Sequence, residues 1–253
     1  MQKSSTVRKR NALFFQLNQT TDGHQAICFP YLGGYANAFL QLAHHLDGSV
    51  EVWAANPPGH GGSAAELVDD IDTLIDRYIE TVVPIMRPGC IFFGHSMGGT
   101  IAYYLTRRLL EGSEGAILPK AVLISACGAP SCMRETYYSR LADNKLVELM
   151  NSYGAMPEEV LKETEFLKML MPIFRADYRV LESAAQKEPA QLDVPTYLLW
   201  GQCDPVVPIN EMLRWRRYLA SKPIIWPMKD AGHMFIHTQV EQVAKYVELG
   251  CVG

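Results

Sequence analysis

Gly94-His95-Ser96-Met97-Gly98-Gly99 is the stretch on which the fold of this chain turns. Its first five residues have the form G-x-S-x-G. On one side lies a short apolar run, 90–93; on the other, Met97, Ile101, Leu105 and Leu109 recur every four residues, while Arg107, Arg108 and Glu111 fall on the opposite side. That pattern reads as strand, turn and helix. A glycine-rich pentapeptide recurs by chance, but one placed at such a junction builds a nucleophile elbow, whose strained backbone lifts a serine hydroxyl above the end of a sheet. Small residues at Gly94, Gly98 and Gly99 let strand and helix approach each other. The helix N-terminus favours the negative charge that develops around Ser96 during attack.

Outward from the elbow, apolar runs at 26–31, 50–54, 121–125, 194–200 and 223–226 alternate with helical patterns. Runs apolar on both faces are what strands covered by helices on both sides look like. The clearest helical pattern spans 67–86, with Leu67, Val68, Ile71, Leu74, Ile75, Tyr78, Ile79, Val82, Val83 and Met86 at spacings of three and four. Alternation of this kind predicts an α/β fold with a mostly parallel central sheet, helices on both faces and right-handed crossovers. At 253 residues it is read as one domain, 1–253. The interval at about 129–192 breaks the rhythm and is too long for a structureless loop. Apolar spacing in its pieces 141–150, 157–171 and 173–185 predicts a helical lid insertion, with Met150, Met156, Met169 and Met171 either filling a core or facing substrate.

Serine at neutral pH needs a base, and the base needs a carboxylate to fix its tautomer. His233, in Asp230-Ala231-Gly232-His233-Met234-Phe235, follows the last apolar run and precedes a C-terminal amphipathic segment. Asp204 follows the 194–200 run through Gly201-Gln202-Cys203, so it emerges at the carboxyl edge of the sheet; Asp193 and Asp177 are the alternatives. The order Ser96, Asp204, His233 is that of the α/β-hydrolase fold. His95 adjoins the nucleophile but diverges from it at a sharp turn, and His60, in Pro57-Pro58-Gly59-His60-Gly61, reads as structural. For the oxyanion hole, Met97 supplies one backbone N–H. Leu32 supplies the second, from the loop Phe29-Pro30-Tyr31-Leu32-Gly33-Gly34-Tyr35 ahead of a helix at 37–44, with Gly33 as fallback.

Composition excludes several classes. With 48% hydrophobic and 20% charged residues and a net charge of −4, the chain is neither disordered nor an evident nucleic-acid binder. No apolar run approaches the ~18 residues of a membrane span. Its six cysteines show no C-x-x-C pair, which argues against a zinc or redox site and for a reduced, cytoplasmic protein. The basic start, with Lys3, Arg8, Lys9 and Arg10, lacks the apolar segment of a signal peptide and reads as a frayed terminus.

From residue 26 onward the chain resembles the type II (external, repair) thioesterases of nonribosomal peptide and polyketide synthesis. The motifs are Cys28-Phe29-Pro30 with Gly33-Gly34-Tyr35, Pro57-Pro58-Gly59-His60-Gly61, Phe93 through Gly99, Phe174-Arg175-Ala176-Asp177-Tyr178 and Gly232-His233-Met234-Phe235. The resemblance implies an α/β-hydrolase with catalysis on Ser96, Asp204 and His233, a helical lid and no metal or organic cofactor. It further implies a substrate class, acyl thioesters on the phosphopantetheine arm of acyl or peptidyl carrier proteins. The N-terminal extension, 1–25, is longer than the pattern and its role stays open. Two other functions remain compatible with the residues: a general carboxylesterase on free small esters, and a non-catalytic binding module on the same fold. Acidic carriers would dock on a basic surface, either Arg214, Arg216 and Arg217 or Arg134, Arg140 and Lys145.

Overall fold

The computed structural model describes residues 9–10, 13–20, 23–112, 117–133, 136–154, 156 and 158–253. Lys3, Arg8, Arg134 and Pro157 therefore lie outside the described residues. Among the described residues eight strands form one sheet: β1 (Lys9–Arg10), β2 (Phe14–Gln16), β3 (His24–Phe29), β4 (Val50–Ala55), β5 (Ile91–His95), β6 (Ala121–Ser125), β7 (Thr196–Gly201) and β8 (Ile224–Met228). Their spatial order is β1-β2-β4-β3-β5-β6-β7-β8. β1–β2 and β2–β4 pair antiparallel, and every other neighbouring pair is parallel. The expected mostly parallel α/β sheet is present, with an N-terminal antiparallel hairpin added at one edge.

Period-two alternation sorts the strand residues into two cores. Ile27, Phe29 and Phe92 pack on one face, Ala26, Cys28, Ile91 and Phe93 on the other. Covering the first face are α2 (Ile71–Val82) and α3 (Met97–Leu110); the second is covered by α1 (Leu40–His45) and α9 (Val240–Val252). Helix α2 starts later than its apolar pattern, because the Asp70 side chain accepts the Thr73 N–H at 3.0 Å and caps it there. Leu67 and Val68 belong to the approach, and Pro84 turns the last residues, Val83–Ile85, into a 3₁₀ turn. Strand β8 forms the far edge, with Pro227 in its interior and the Pro227 carbonyl accepting the Tyr246 hydroxyl at 3.3 Å.

The 129–192 interval is helical, as its spacing predicts: α4 (Asp143–Ser152), α5 (Glu158–Lys162) and α6 (Thr164–Ala185). The break falls at Glu163 rather than at Pro172, which lies inside α6. Pro172 is exposed, so the carbonyl it leaves without a donor faces water while Met171, Phe174, Asp177 and Tyr178 keep the other side of the helix buried. Short helices α7 (Ile209–Met212) and α8 (Phe235–Thr238) flank β8.

Of the basic start, Lys9 and Arg10 are described, and they form a strand. Lys9 pairs with Gln16 and Arg10 with Phe15, and Phe14 is fully buried against the rings of Phe29 and Tyr78. This part of the extension closes one end of the core.

Candidate active site

At the carboxyl end of β5 the chain reverses through Ser96, which adopts φ 53° and ψ −121°. Such a conformation costs about 1–3 kcal/mol for a non-glycine residue and persists only where neighbours enforce it. Here the Ser96 N–H donates to the Ser125 carbonyl at 2.8 Å, and the Ser96 carbonyl accepts the Gly99 N–H at 2.8 Å. A Cβ on Gly94 would lie 2.0 Å from the Gly98 carbonyl oxygen, and one on Gly98 would lie 2.0 Å from that of Phe29. Both positions therefore require glycine for the helix to seat on the strands.

Two loops converge on the serine. His233, in the loop after β8, places Nε2 3.0 Å from Ser96 Oγ and Nδ1 2.9 Å from Asp204 Oδ2. Asp204, just beyond β7, accepts the backbone N–H groups of Val206 and Val207 on Oδ1 at 2.8 and 3.1 Å. Its carboxylate is fully buried and the imidazole nearly so. Two amides on one oxygen and an imidazole N–H on the other hold the carboxylate in a fixed direction. Nδ1 then carries a proton, and Nε2 presents its lone pair to the serine hydroxyl.

Of the alternatives to Asp204, Asp193 is exposed ahead of β7, at the amino end of the sheet. Asp177 is buried on α6 but is bound to His60 and to the Gly33 N–H, not to His233. Asp230 is exposed, at φ 55°. His60 is structural, as its loop suggested: Nδ1 faces the Pro58 carbonyl at 3.0 Å and Nε2 faces Asp177 at 3.1 Å.

His95 has a part that the sequence did not disclose. It is completely buried, with Nε2 3.0 Å from the His233 carbonyl oxygen and Nδ1 2.9 Å from Ser125 Oγ. A carbonyl only accepts, so Nε2 carries the proton and Nδ1 accepts from the serine hydroxyl. Burial, followed by the neighbouring His233 and His237, pushes the His95 pKa well below its ordinary value, which keeps it neutral. His95 thus anchors the backbone of the histidine that faces Ser96.

The Ser96 hydroxyl opens into a cavity of ≈ 100 Å³ between α3 and the helical insertion. Leu32, Met97, Met150, Tyr153, Val207 and Glu211 contribute to its walls. Leu32 and Met97, the residues expected to supply oxyanion-hole amides, line the same cavity as Ser96, whereas the fallback Gly33 has its N–H committed to Asp177 at 2.7 Å. The insertion's methionines take the two expected roles except for Met169, and Met156 borders the groove beside the cavity. Met150 lines the cavity, Met171 is core, and Met169 points to solvent at 71% exposure. A second groove, bordered by Tyr31, Leu32, Tyr35, Met150, Phe166 and His237, adjoins the first across Tyr31, Leu32 and Met150.

The two basic clusters fare differently. Arg214, Arg216 and Arg217 are exposed, but the chain carrying them descends from the sheet's carboxyl edge, and Leu219 already bridges to Leu192 ahead of β7. Arg216 and Arg217 therefore lie toward the amino edge, away from Ser96. Arg140 and Lys145 are exposed on the insertion, Arg140 over the Tyr137 ring and Lys145 paired with Glu148.

Sheet order, elbow and the chain order of the three converging side chains place the molecule among the α/β-hydrolases that use a serine nucleophile. Within that class the chain belongs to the thioesterase family, whose thioesterase-domain model matches residues 24–249. It is 29% identical to thioesterase PikA5 of Streptomyces venezuelae over 86% of this chain and 77% of that one. Identity to the gramicidin S biosynthesis protein GrsT of Aneurinibacillus migulanus is 26%, over 87% of this chain and 86% of the other. Among solved structures, the type II thioesterase BorB from the borrelidin biosynthetic cluster superposes with a TM-score of 0.85 at 26% identity, covering 96% of this chain and 99% of BorB.

Proposed function

We propose that this protein is a type II thioesterase of nonribosomal peptide or polyketide synthesis, which hydrolyses acyl groups from the phosphopantetheine arm of carrier proteins through an acyl-serine intermediate. One observation carries the reading. The Ser96 hydroxyl, aligned on His233 at 3.0 Å, meets an apolar chamber roofed by a methionine- and tyrosine-bearing lid, inside a chain of the thioesterase family.

Ser96 Oγ attacks the thioester carbonyl while His233 Nε2 takes its proton, and Asp204 stabilises the imidazolium. Backbone N–H groups of Met97 and Leu32 receive the oxyanion. Collapse of the tetrahedral intermediate expels the carrier thiol, which takes up the proton from His233. Water then attacks the acyl-serine with His233 as base, releasing the acid and restoring Ser96. On a scale where one water needs about 10–15 Å³, the chamber holds a short acyl chain. The adjoining groove under Tyr31 and Tyr35 is the approach for the arm, and the carrier is the partner. All six cysteines are free, in keeping with a reducing cytoplasm.

The test is intact mass spectrometry of a panel of acylated carrier proteins after incubation with the enzyme, beside the same acyl groups as free thioesters and esters. Carrier-bound acyl groups are released fastest, rising salt slows only that reaction, and Ser96→Ala abolishes release while keeping its melting temperature. Equal rates on free esters would instead establish a general carboxylesterase. Turnover by pure Ser96→Ala above a few per cent of wild type would remove the nucleophile assignment.

A further inference from the structure

Asp177 takes no part in the relay, yet it is buried on the face of α6 that meets the loop after β3. A single oxygen, Oδ2, accepts the Gly33 N–H at 2.7 Å and stands 3.1 Å from His60 Nε2. His60 Nδ1 in turn faces the Pro58 carbonyl at 3.0 Å. An imidazole with an acceptor at each nitrogen satisfies both only by carrying a proton on each. His60 is thus an imidazolium closed into a nearly dry ion pair with Asp177. Burial lowers its pKa, but the Asp177 charge and hydrogen bond, with the Pro58 carbonyl, outweigh burial and leave it raised.

Gly33 is held from the same helix by a second side chain. It adopts φ +74°, and a Cβ there would lie 2.5 Å from Cε1 of Phe174, one turn before Asp177 on α6. The lid helix therefore clasps the loop twice, with a ring against the Gly33 α-carbon and a carboxylate on its N–H. Leu32, immediately before Gly33, carries the amide that the proposed mechanism directs at the oxyanion.

We propose that Asp177, charged and held in place by the His60 imidazolium, is a positioning residue that fixes the Leu32–Gly33 peptide, and through it the adjoining Tyr31–Leu32 peptide that carries the Leu32 N–H, and so completes the oxyanion hole only when the lid helix is seated. The inference rests on the acyl-serine reading above. In its terms the lid is more than a cover: its second half is part of the scaffold of the hole, and the Pro57–Gly61 loop holds the carboxylate's charge. Asparagine cannot replace Asp177 without loss. With its oxygen toward Gly33 it forces His60 to a neutral tautomer and strands the Pro58 carbonyl; with its NH₂ there it opposes the Gly33 N–H.

Asp177→Asn and His60→Gln test the proposal with a free acyl-pantetheine thioester and a boronic acid that forms a tetrahedral adduct on Ser96. Removing an oxyanion donor outright costs about 10²–10³ in kcat, so a misdirected one should cost about tenfold or more in kcat, with KM changed by less than about threefold. Boronate affinity falls by the same factor as kcat/KM. Unchanged kcat and boronate affinity in Asp177→Asn overturns the proposal, and so does a loss in which KM rises and melting temperature falls but boronate affinity does not change. If Asp177→Asn does not fold, His60→Gln is judged by the same criteria. The wild-type Gly33 amide decides independently: in a ¹H–¹⁵N spectrum it should be shifted downfield and slow to exchange, and rapid exchange there refutes the bond. Activity of Ser96→Ala would sink the catalytic reading on its own, and the Gly33 amide would still report on the Asp177 bond.

Discussion

Replacing Asp204 by asparagine keeps the shape of the side chain and changes one donor. Oδ1 of Asp204 accepts two backbone N–H groups, from Val206 and Val207, while Oδ2 accepts from His233 Nδ1. In Asp204→Asn the amide oxygen stays with the two N–H groups, because turning the NH₂ toward them strands two buried donors at about 1–3 kcal/mol each. The NH₂ then faces His233, whose Nδ1 must accept, and the imidazole proton moves to Nε2. There it points at Ser96 Oγ, and the histidine can no longer take the serine's proton. The active arrangement is reached only through the flipped amide, at about 2–6 kcal/mol, and without a carboxylate to stabilise the imidazolium. Together these predict a fall of about 10³ to 10⁴ in kcat/KM, with folding retained. The assay is release of free pantetheine thiol from an acyl-pantetheine, followed by chromatography to avoid labelling the enzyme's own cysteines. A loss smaller than about tenfold, or Asp177→Asn proving more damaging than Asp204→Asn, would refute the reasoning.

Gly98→Ala pushes a methyl to 2.0 Å from the Phe29 carbonyl oxygen and 2.9 Å from that of Pro30, both backbone atoms. It should destabilise by about 1–3 kcal/mol and lower Tm by roughly 2–10 °C in calorimetry; an unchanged Tm means the elbow is looser than described. Hydrogen exchange across 131–187 should be uneven, fast in α4, α5 and the first half of α6, and slow from Phe174 onward. There the Asp177, Ser183 and Ala184 hydrogen bonds tie the helix to Gly33, Ile71 and Tyr104. Uniform core-like protection would contradict a mobile lid. Thiol labelling at neutral pH should show one fast equivalent, from exposed Cys203. Burial, with the Glu211 carboxylate second, pushes Cys132 up to about 11, and burial leads in pushing Cys127 and Cys251 up to about 12. A second fast equivalent would show Cys132 more open than its surroundings imply.

The parallel strands were legible because β5 and β6 are buried on both faces, which leaves short unbroken apolar runs. Strands β1 and β2 were not, since two or three residues at an edge are too few for any period to register. Pro172 misplaced a helix break because the rule against interior proline assumes a buried partner carbonyl, and here that side of the helix meets water. In the site, the meeting of Ser96, Asp204 and His233 was readable from the G-x-S-x-G turn, chain order and loop position. The links of His60 to Asp177 and of His95 to the His233 carbonyl join residues 117 and 138 apart, and no local spacing encodes such a meeting. Both histidines were visible as letters; only the fold gives them partners. The same holds for Arg216 and Arg217, whose distance from Ser96 depends on a chain reversal that ends at Leu219.

A sheet left open at its rim invites another chain to continue it. At β8 that invitation is withdrawn at one residue. Pro227 has no N–H to offer an incoming strand, and its carbonyl is already engaged by the Tyr246 hydroxyl. Neither half of a ladder rung is available there, although the flanking Ile224 is 54% exposed and apolar enough to attract one. This chain thus carries a sheet whose β8 border resists continuing into a copy of itself, and Pro227→Val is the substitution that would reopen it.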